Sequence, residues 1–159
     1  MTSIITFSPC ESMTLSPTGP NFINFTNGFT PNPCSFFSIP QAGKITYFSL
    51  SYIPDSTGDF LTDGPDEAII TYVHKADYNF YTNCHDPFTQ TEFFTGVVSS
   101  DLCVFPPYAG LYFENNDIKF KTLLVNKNDL ISVNITFNGN KEITGKFSVS
   151  LNYTSNCHN

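Results

Sequence analysis

The stretch Asn83-Cys84-His85-Asp86-Pro87-Phe88 sets a thiol, an imidazole and a carboxylate side by side, the groups from which a nucleophile, its base and an orienting acid are made. Contiguity works against that use. Neighbours on an extended chain point to opposite faces, whereas catalytic partners converge from separate segments. Cys84-His85 and Cys157-His158 could together offer sulfur and nitrogen ligands to zinc, but paired zinc ligands are usually a few residues apart rather than adjacent. A second group is Pro54 to Glu67, PDSTGDFLTDGPDE, which gathers Asp55, Asp59, Asp63, Asp66 and Glu67. Carboxylate oxygens at short spacing suit calcium, and millimolar calcium outside cells tolerates weak sites. The spacing is not that of an EF-hand, and a solvated acidic loop between two strands is the other reading. Tyr72, Tyr78, Tyr81, Tyr108 and Tyr112 could stack on sugars, making a glycan ligand possible, although the chain has no Trp, the best stacking platform. No acid, base and nucleophile converge, so the chain is expected not to be an enzyme.

Composition narrows the class. The chain has 159 residues, enough for one domain with a single core. It holds 17 Phe and 8 Tyr among many Thr, Ser and Asn, a mixture that suits strands and turns and disfavours helices. The net charge is −7, and all 7 cations are Lys. Clustered guanidinium groups, the usual grip on phosphate and guanine, are missing, so no nucleic-acid partner is expected. No apolar run approaches the ~18 to 20 residues of a membrane span, and no membrane insertion is expected. The first ten residues, MTSIITFSPC, lack a basic region and a long apolar stretch, so no secretion signal is expected if Met1 is the natural start. Five cysteines, Cys10, Cys34, Cys84, Cys103 and Cys157, point to an oxidising compartment or to a set of buried free thiols. Asn24, Asn134 and Asn152 head Asn-x-Thr sequons.

These residues must be positioned by strands. In DLISVNITFN, Ile131, Val133, Ile135 and Phe137 alternate with Ser132, Asn134 and Thr136, and in GKFSVSLNYT, Phe147, Val149, Leu151 and Tyr153 alternate with Ser148, Ser150, Asn152 and Thr154. A period of two marks half-buried strands. NGNKE between them carries the Asn-Gly turn signal and predicts a hairpin, with Asn134 and Asn152 on its solvent face. DIKFKTLLV predicts a strand with Leu124 inward, and KITYFSLSYI one with Phe48, Leu50 and Tyr52 inward. SIITF, NFINFT, CSFFSI, EAIITYV, YNFYT, TEFFTGVV and YAGLYFE read as further strands. Punctuation by Pro, Gly, Asn and Asp every ten residues or so predicts one all-β antiparallel sandwich over residues 1–159. Residues 15–40 form its loop-rich edge and 154–159 a short tail.

The segments flanking four of the cysteines resemble CUB domains, extracellular β-sandwiches. SPTGPNF resembles that family's SPNYP loop, CSFFSIPQAGKITYFSLSYI its cysteine, aromatic and G-x-I strand, NCHDPF to LCVFPP its third and fourth cysteines, and LISVNITFNG with GKFSVSLNY its closing strands. The resemblance implies disulfides Cys10–Cys34 and Cys84–Cys103, leaving Cys157 for an intermolecular bridge. Each pair would close a loop of about twenty residues, a length at which a crosslink stabilises by about 3 kcal/mol in the chain-entropy view. It also implies a binding module without enzymatic activity. Of the family's calcium site only Asp86 has a counterpart, so calcium remains a possible cofactor at Asp55, Asp59, Asp63 and Asp66 alone. The expectation is a CUB-like or jelly-roll sandwich, extracellular or on a particle surface, acting in adhesion, binding or assembly through a protein partner or self-assembly. A jelly-roll structural protein of a virion or filament, and a carbohydrate-binding module, are the alternatives.

Overall fold

The computed structural model describes residues 1–17, 21–24, 29–30, 32–59, 68–97, 111–114 and 122–156. These form β1 (Thr2–Phe7), β2 (Met13–Leu15), β3 (Asn21–Ile23), β4 (Phe29–Thr30), β5 (Phe37–Ser38), β6 (Gly43–Pro54) and β7 (Ala68–Ala76). Then follow β8 (Tyr78–Asn79), β9 (Cys84–His85), β10 (Thr89–Val97), β11 (Leu111–Glu114), β12 (Leu123–Val125), β13 (Leu130–Asn138) and β14 (Ile143–Ser155). One 3-10 turn, Thr57–Asp59, follows β6. No helix among the described residues is long and apolar enough to cross a membrane.

The first sheet runs β1-β14-β6-β11, with β2 alongside β1 on β14 and β12 alongside β11 on β6. The second runs β10-β7-β13-β3-β4, with β5 in line with β3 on β13. All these pairings are antiparallel. The winding follows the jelly-roll order: first and last strands adjoin, β6 lies beyond the last, and β3, β13, β7 and β10 line the facing sheet. The expected all-β sandwich is therefore found.

The period of two fixes the core as predicted in both long C-terminal strands. Ile131, Val133, Ile135 and Phe137 of β13 meet Phe147, Val149, Leu151 and Tyr153 of β14 in one buried cluster, with Leu50 and Tyr52 of β6 between them. Tyr52 stacks on Phe147 at 4.7 Å between ring centroids, and Phe29 meets Phe147 edge-on at 5.3 Å. The buried Tyr52 hydroxyl donates to the Asp59 carbonyl at 2.7 Å, satisfying a group that burial would otherwise penalise.

Three sequence expectations are corrected. β13 and β14 do not form a hairpin, because they belong to different sheets; the NGNKE turn is a crossover between layers. Gly139 serves that crossover by close approach, since a Cβ there would come within 2.3 Å of the Phe137 ring, itself fixed in the core. Leu124 is exposed instead of inward: β12 pairs Leu123 with Ile45 and Val125 with Gly43, so Leu123 and Val125 take the core side. YNFYT is not one strand, because β8 stops at Asn79 and a turn follows. Its local cause is Asn79, whose Oδ1 accepts the N–H groups of Tyr81 at 2.9 Å and Thr82 at 3.3 Å, the Asx arrangement that reverses a chain.

Candidate functional site

That turn joins β8 to β9, pairing Tyr78 with His85 and Asn79 with Cys84. Asn83 takes the left-handed conformation, φ 55°, which Asn tolerates better than most residues. Tyr78 is the hub of the hairpin. Its ring meets Phe80 and His85 edge-on at 4.8 and 5.2 Å, and its hydroxyl donates to Asn83 Oδ1 at 3.2 Å. At the tip Phe80 is exposed and Tyr81 is 99% exposed. The hairpin is held at its base by the turn 126–129. His85 Nε2–H donates to the Asn128 carbonyl at 2.9 Å, and Asp129, 1% exposed, accepts the Tyr78 N–H at 3.0 Å on Oδ1 and the Asn126 N–H at 2.7 Å on Oδ2. Nothing local in the sequence distinguishes Asp129, because the N–H it anchors lies 51 residues away.

Cys84 and His85 are successive in β9, so their side chains leave by opposite faces. The imidazole is turned to a backbone carbonyl and Cys84 is an exposed free thiol. Cys10 and Cys34 are also free and exposed, so the bridge between them implied by the CUB resemblance is not made. Cys10 follows β1 of the first sheet, and Cys34 lies between β4 and β5 of the second. Cys34 Sγ donates instead to Asn24 Oδ1 at 2.9 Å. Cys103 and Cys157, with the Cys84–Cys103 pairing, lie outside the described residues, as does Tyr108.

The acidic loop is used locally where it is described. Asp55 Oδ1 accepts from Ser12 Oγ at 2.7 Å. Asp59 accepts from Ser56 Oγ at 2.7 Å on Oδ2 and from the Thr144 N–H at 2.9 Å on Oδ1. Burial, and then the negative charges of Asp59 and Asp55, push the Tyr52 hydroxyl well above its usual pKa, so it stays a donor. Asp63 and Asp66 lie outside the described residues. Among the described residues no three His, Cys, Asp or Glu side chains are grouped to hold a metal ion.

The sequons separate by burial. Asn134 was expected on a solvent face; it is 4% exposed, and its Oδ1 accepts the Asn21 N–H at 3.0 Å. The strand phase is right and the solvent assignment is wrong, because β13 is an interior strand whose ladder sets Asn134 between Phe22 and Tyr72. On the same face Phe22 packs edge-on to His74 at 4.8 Å, Phe36 approaches Phe88 at 6.5 Å, and Ser132 donates to the Ser35 carbonyl at 3.0 Å. His74 is buried with its Nε2 unpartnered, and burial lowers its pKa below the usual imidazole value. Asn24 is 6% exposed and occupied by Cys34. Asn152 is half-buried on β14 and faces outward.

The outer face of the first sheet is lined mainly by hydroxyl side chains. Thr2, Ile4 and Thr6 of β1 stand opposite Thr154, Asn152 and Ser150 of β14. Ser49, Ser51 and Ile53 of β6 stand opposite Ser150, Ser148 and Lys146. Hydroxyls bridge the strands in pairs: Thr2 with Thr154 at 3.1 Å, Thr6 with Ser150 at 3.1 Å, and Thr14 with Thr144 at 2.9 Å. Ile4, Ile53 and Leu124 are exposed here. Lys44 and Lys146 also lie on this face. No protein-family model matches the chain, and no curated protein sequence matches it.

Proposed function

We propose that the chain is a non-enzymatic binding and assembly module that works by protein–protein contact at the exterior of a cell or particle. The observation that carries this reading is the outer face of the first sheet. The chain has a net charge of −7, yet across β1, β14 and β6 it presents hydroxyls, two lysines and the exposed Ile4 and Ile53. Neutral faces with scattered aliphatic groups are what partner surfaces cover at little desolvation cost. The second reading, a jelly-roll structural subunit of a virion or filament, is favoured by the strand order and by three exposed free thiols, which suit assembly in a reducing compartment.

The test is light scattering over a concentration series, with the parent and with Ser51→Asp combined with Ser148→Asp, two residues directly opposed on the face. Association that rises with concentration in the parent and is lost in the double variant, at unchanged melting temperature, supports the reading. Association that survives the two added charges removes this face from the proposal.

A further inference from the structure

Sheet edges are where sandwiches guard against pairing with other chains, and three of the edges here are guarded. β10 carries Glu92 and a break in register between Glu92 and Phe94. β4 is two residues long and is followed by Pro31. β11 ends on Glu114. Charges, bulges, prolines and brevity are the devices that blunt an edge. β1 has none of them: Thr2-Ser3-Ile4-Ile5-Thr6-Phe7 is uncharged, free of proline and in unbroken register with β14.

The ladder shows which groups that edge offers. Ser155 N–H donates to the Met1 carbonyl at 3.0 Å, so Met1 and Ser155 form a hydrogen-bonded pair. Antiparallel ladders alternate such pairs, which turns the amides of Ser3 and Ile5 toward β14 and those of Thr2, Ile4 and Thr6 away from it. On the far side no strand pairs with β1 among the described residues, and Ile4 is 69% exposed. The Thr2 and Thr6 hydroxyls are bonded inward across the ladder, leaving the outward backbone uncovered by them.

We propose that the β1 edge pairs antiparallel with β1 of a second copy, about a two-fold axis at Ile4. This deepens the assembly reading and rests on it. Opposed residues of an antiparallel pair share a face, and of the registers this allows, the one centred on Ile4 pairs the most outward amides: Ile4 meets Ile4, Thr2 meets Thr6 and Ser3 meets Ile5 of the second copy. In that register the outward amides of Thr2, Ile4 and Thr6 all find partners, three pairs exchanging about six hydrogen bonds, and the two exposed Ile4 side chains cover each other. The occupant is a second copy because the edge is its own complement under a two-fold, the symmetry of most homodimers, and because residues 1–10 of this acidic chain carry no Asp or Glu. The first sheet then continues across both molecules.

Ile4→Pro tests it: the proline removes an N–H that points away from β14, so the fold keeps its ladder while the intermolecular one is broken at the axis. Ile4→Lys is the second variant, placing two cations opposite each other. Sedimentation equilibrium over a concentration series should show the parent dimerising and both variants monomeric, with circular dichroism unchanged. If Ile4→Pro unfolds, Ile4→Lys decides. A dimer that persists in Ile4→Lys overturns the edge proposal and leaves assembly through the sheet face standing. A parent that is monomeric throughout overturns the edge proposal and leaves only binding to a different protein.

Discussion

Asp129 and Tyr78 are joined by a 3.0 Å hydrogen bond from a backbone N–H to a carboxylate whose residue is 1% exposed. The same carboxylate takes the Asn126 N–H, so one buried anion closes its own turn and ties the β8–β9 hairpin to it. Bonds to charged groups contribute about 1.5–3 kcal/mol each. Asp129→Ala should destabilise by about 2–4 kcal/mol and Asp129→Asn, which keeps one acceptor, by roughly half as much. Urea unfolding measures both. A loss within experimental error for Asp129→Ala would deny the anchor.

His74 predicts a pH dependence. Burial lowers its folded-state pKa, while in the unfolded chain an imidazole titrates at about 6.5. Between those two values the unfolded state binds the extra proton, so stability rises with pH there. Stability should therefore fall as pH drops below about 6.5, and His74→Phe, which keeps a ring against Phe22, should flatten the curve over that window. Denaturation midpoints at a series of pH values give the answer, and parallel curves would remove His74 as the cause.

The three sequons should behave differently when the chain is expressed through a secretory pathway. In the folded, soluble fraction a glycan is expected at Asn152 and not at Asn24 or Asn134, whose side-chain oxygens are engaged in buried hydrogen bonds. Intact mass with and without deglycosylation, followed by peptide mapping, distinguishes the sites. A glycan at Asn134 in folded protein would contradict its placement between Phe22 and Tyr72.

Cys10, Cys34 and Cys84 are exposed free thiols, so a thiol-alkylating reagent should modify all three in native protein without prior reduction. Recovery of a disulfide-linked peptide containing Cys10 and Cys34 would restore the CUB-like pairing.

The core strands were legible because their signal is local. The alternation in Phe147, Val149, Leu151 and Tyr153 matches their burial residue for residue. The same alternation misled at Asn134, since periodicity says which residues share a face and not whether that face meets water. A strand with Phe22 and Tyr72 flanking one residue buries polar groups too. The Asn-Gly signal located a turn but could not say which sheet the chain enters next. Asp129 and the β1 edge were invisible for a related reason: the first is defined by a distant N–H, the second by what does not pair with it.

The placement of β13 and β14 has a consequence for synthesis. They are the last two strands described, yet each lies inside a sheet, β13 between β7 and β3 and β14 between β1 and β6. As the chain emerges from the ribosome, β6 and β7 can meet only β11, β12 and β10 among the described strands, while β1 has no partner until β14 is made. The second layer cannot close until β13 is made, and the first not until β14 is, so each sheet waits for a late central strand. Such non-local pairing is slow, and the waiting strands are the ones exposed to wrong partners. A chain shortened before Leu130 would lose the middle of both sheets at once and keep only their rims.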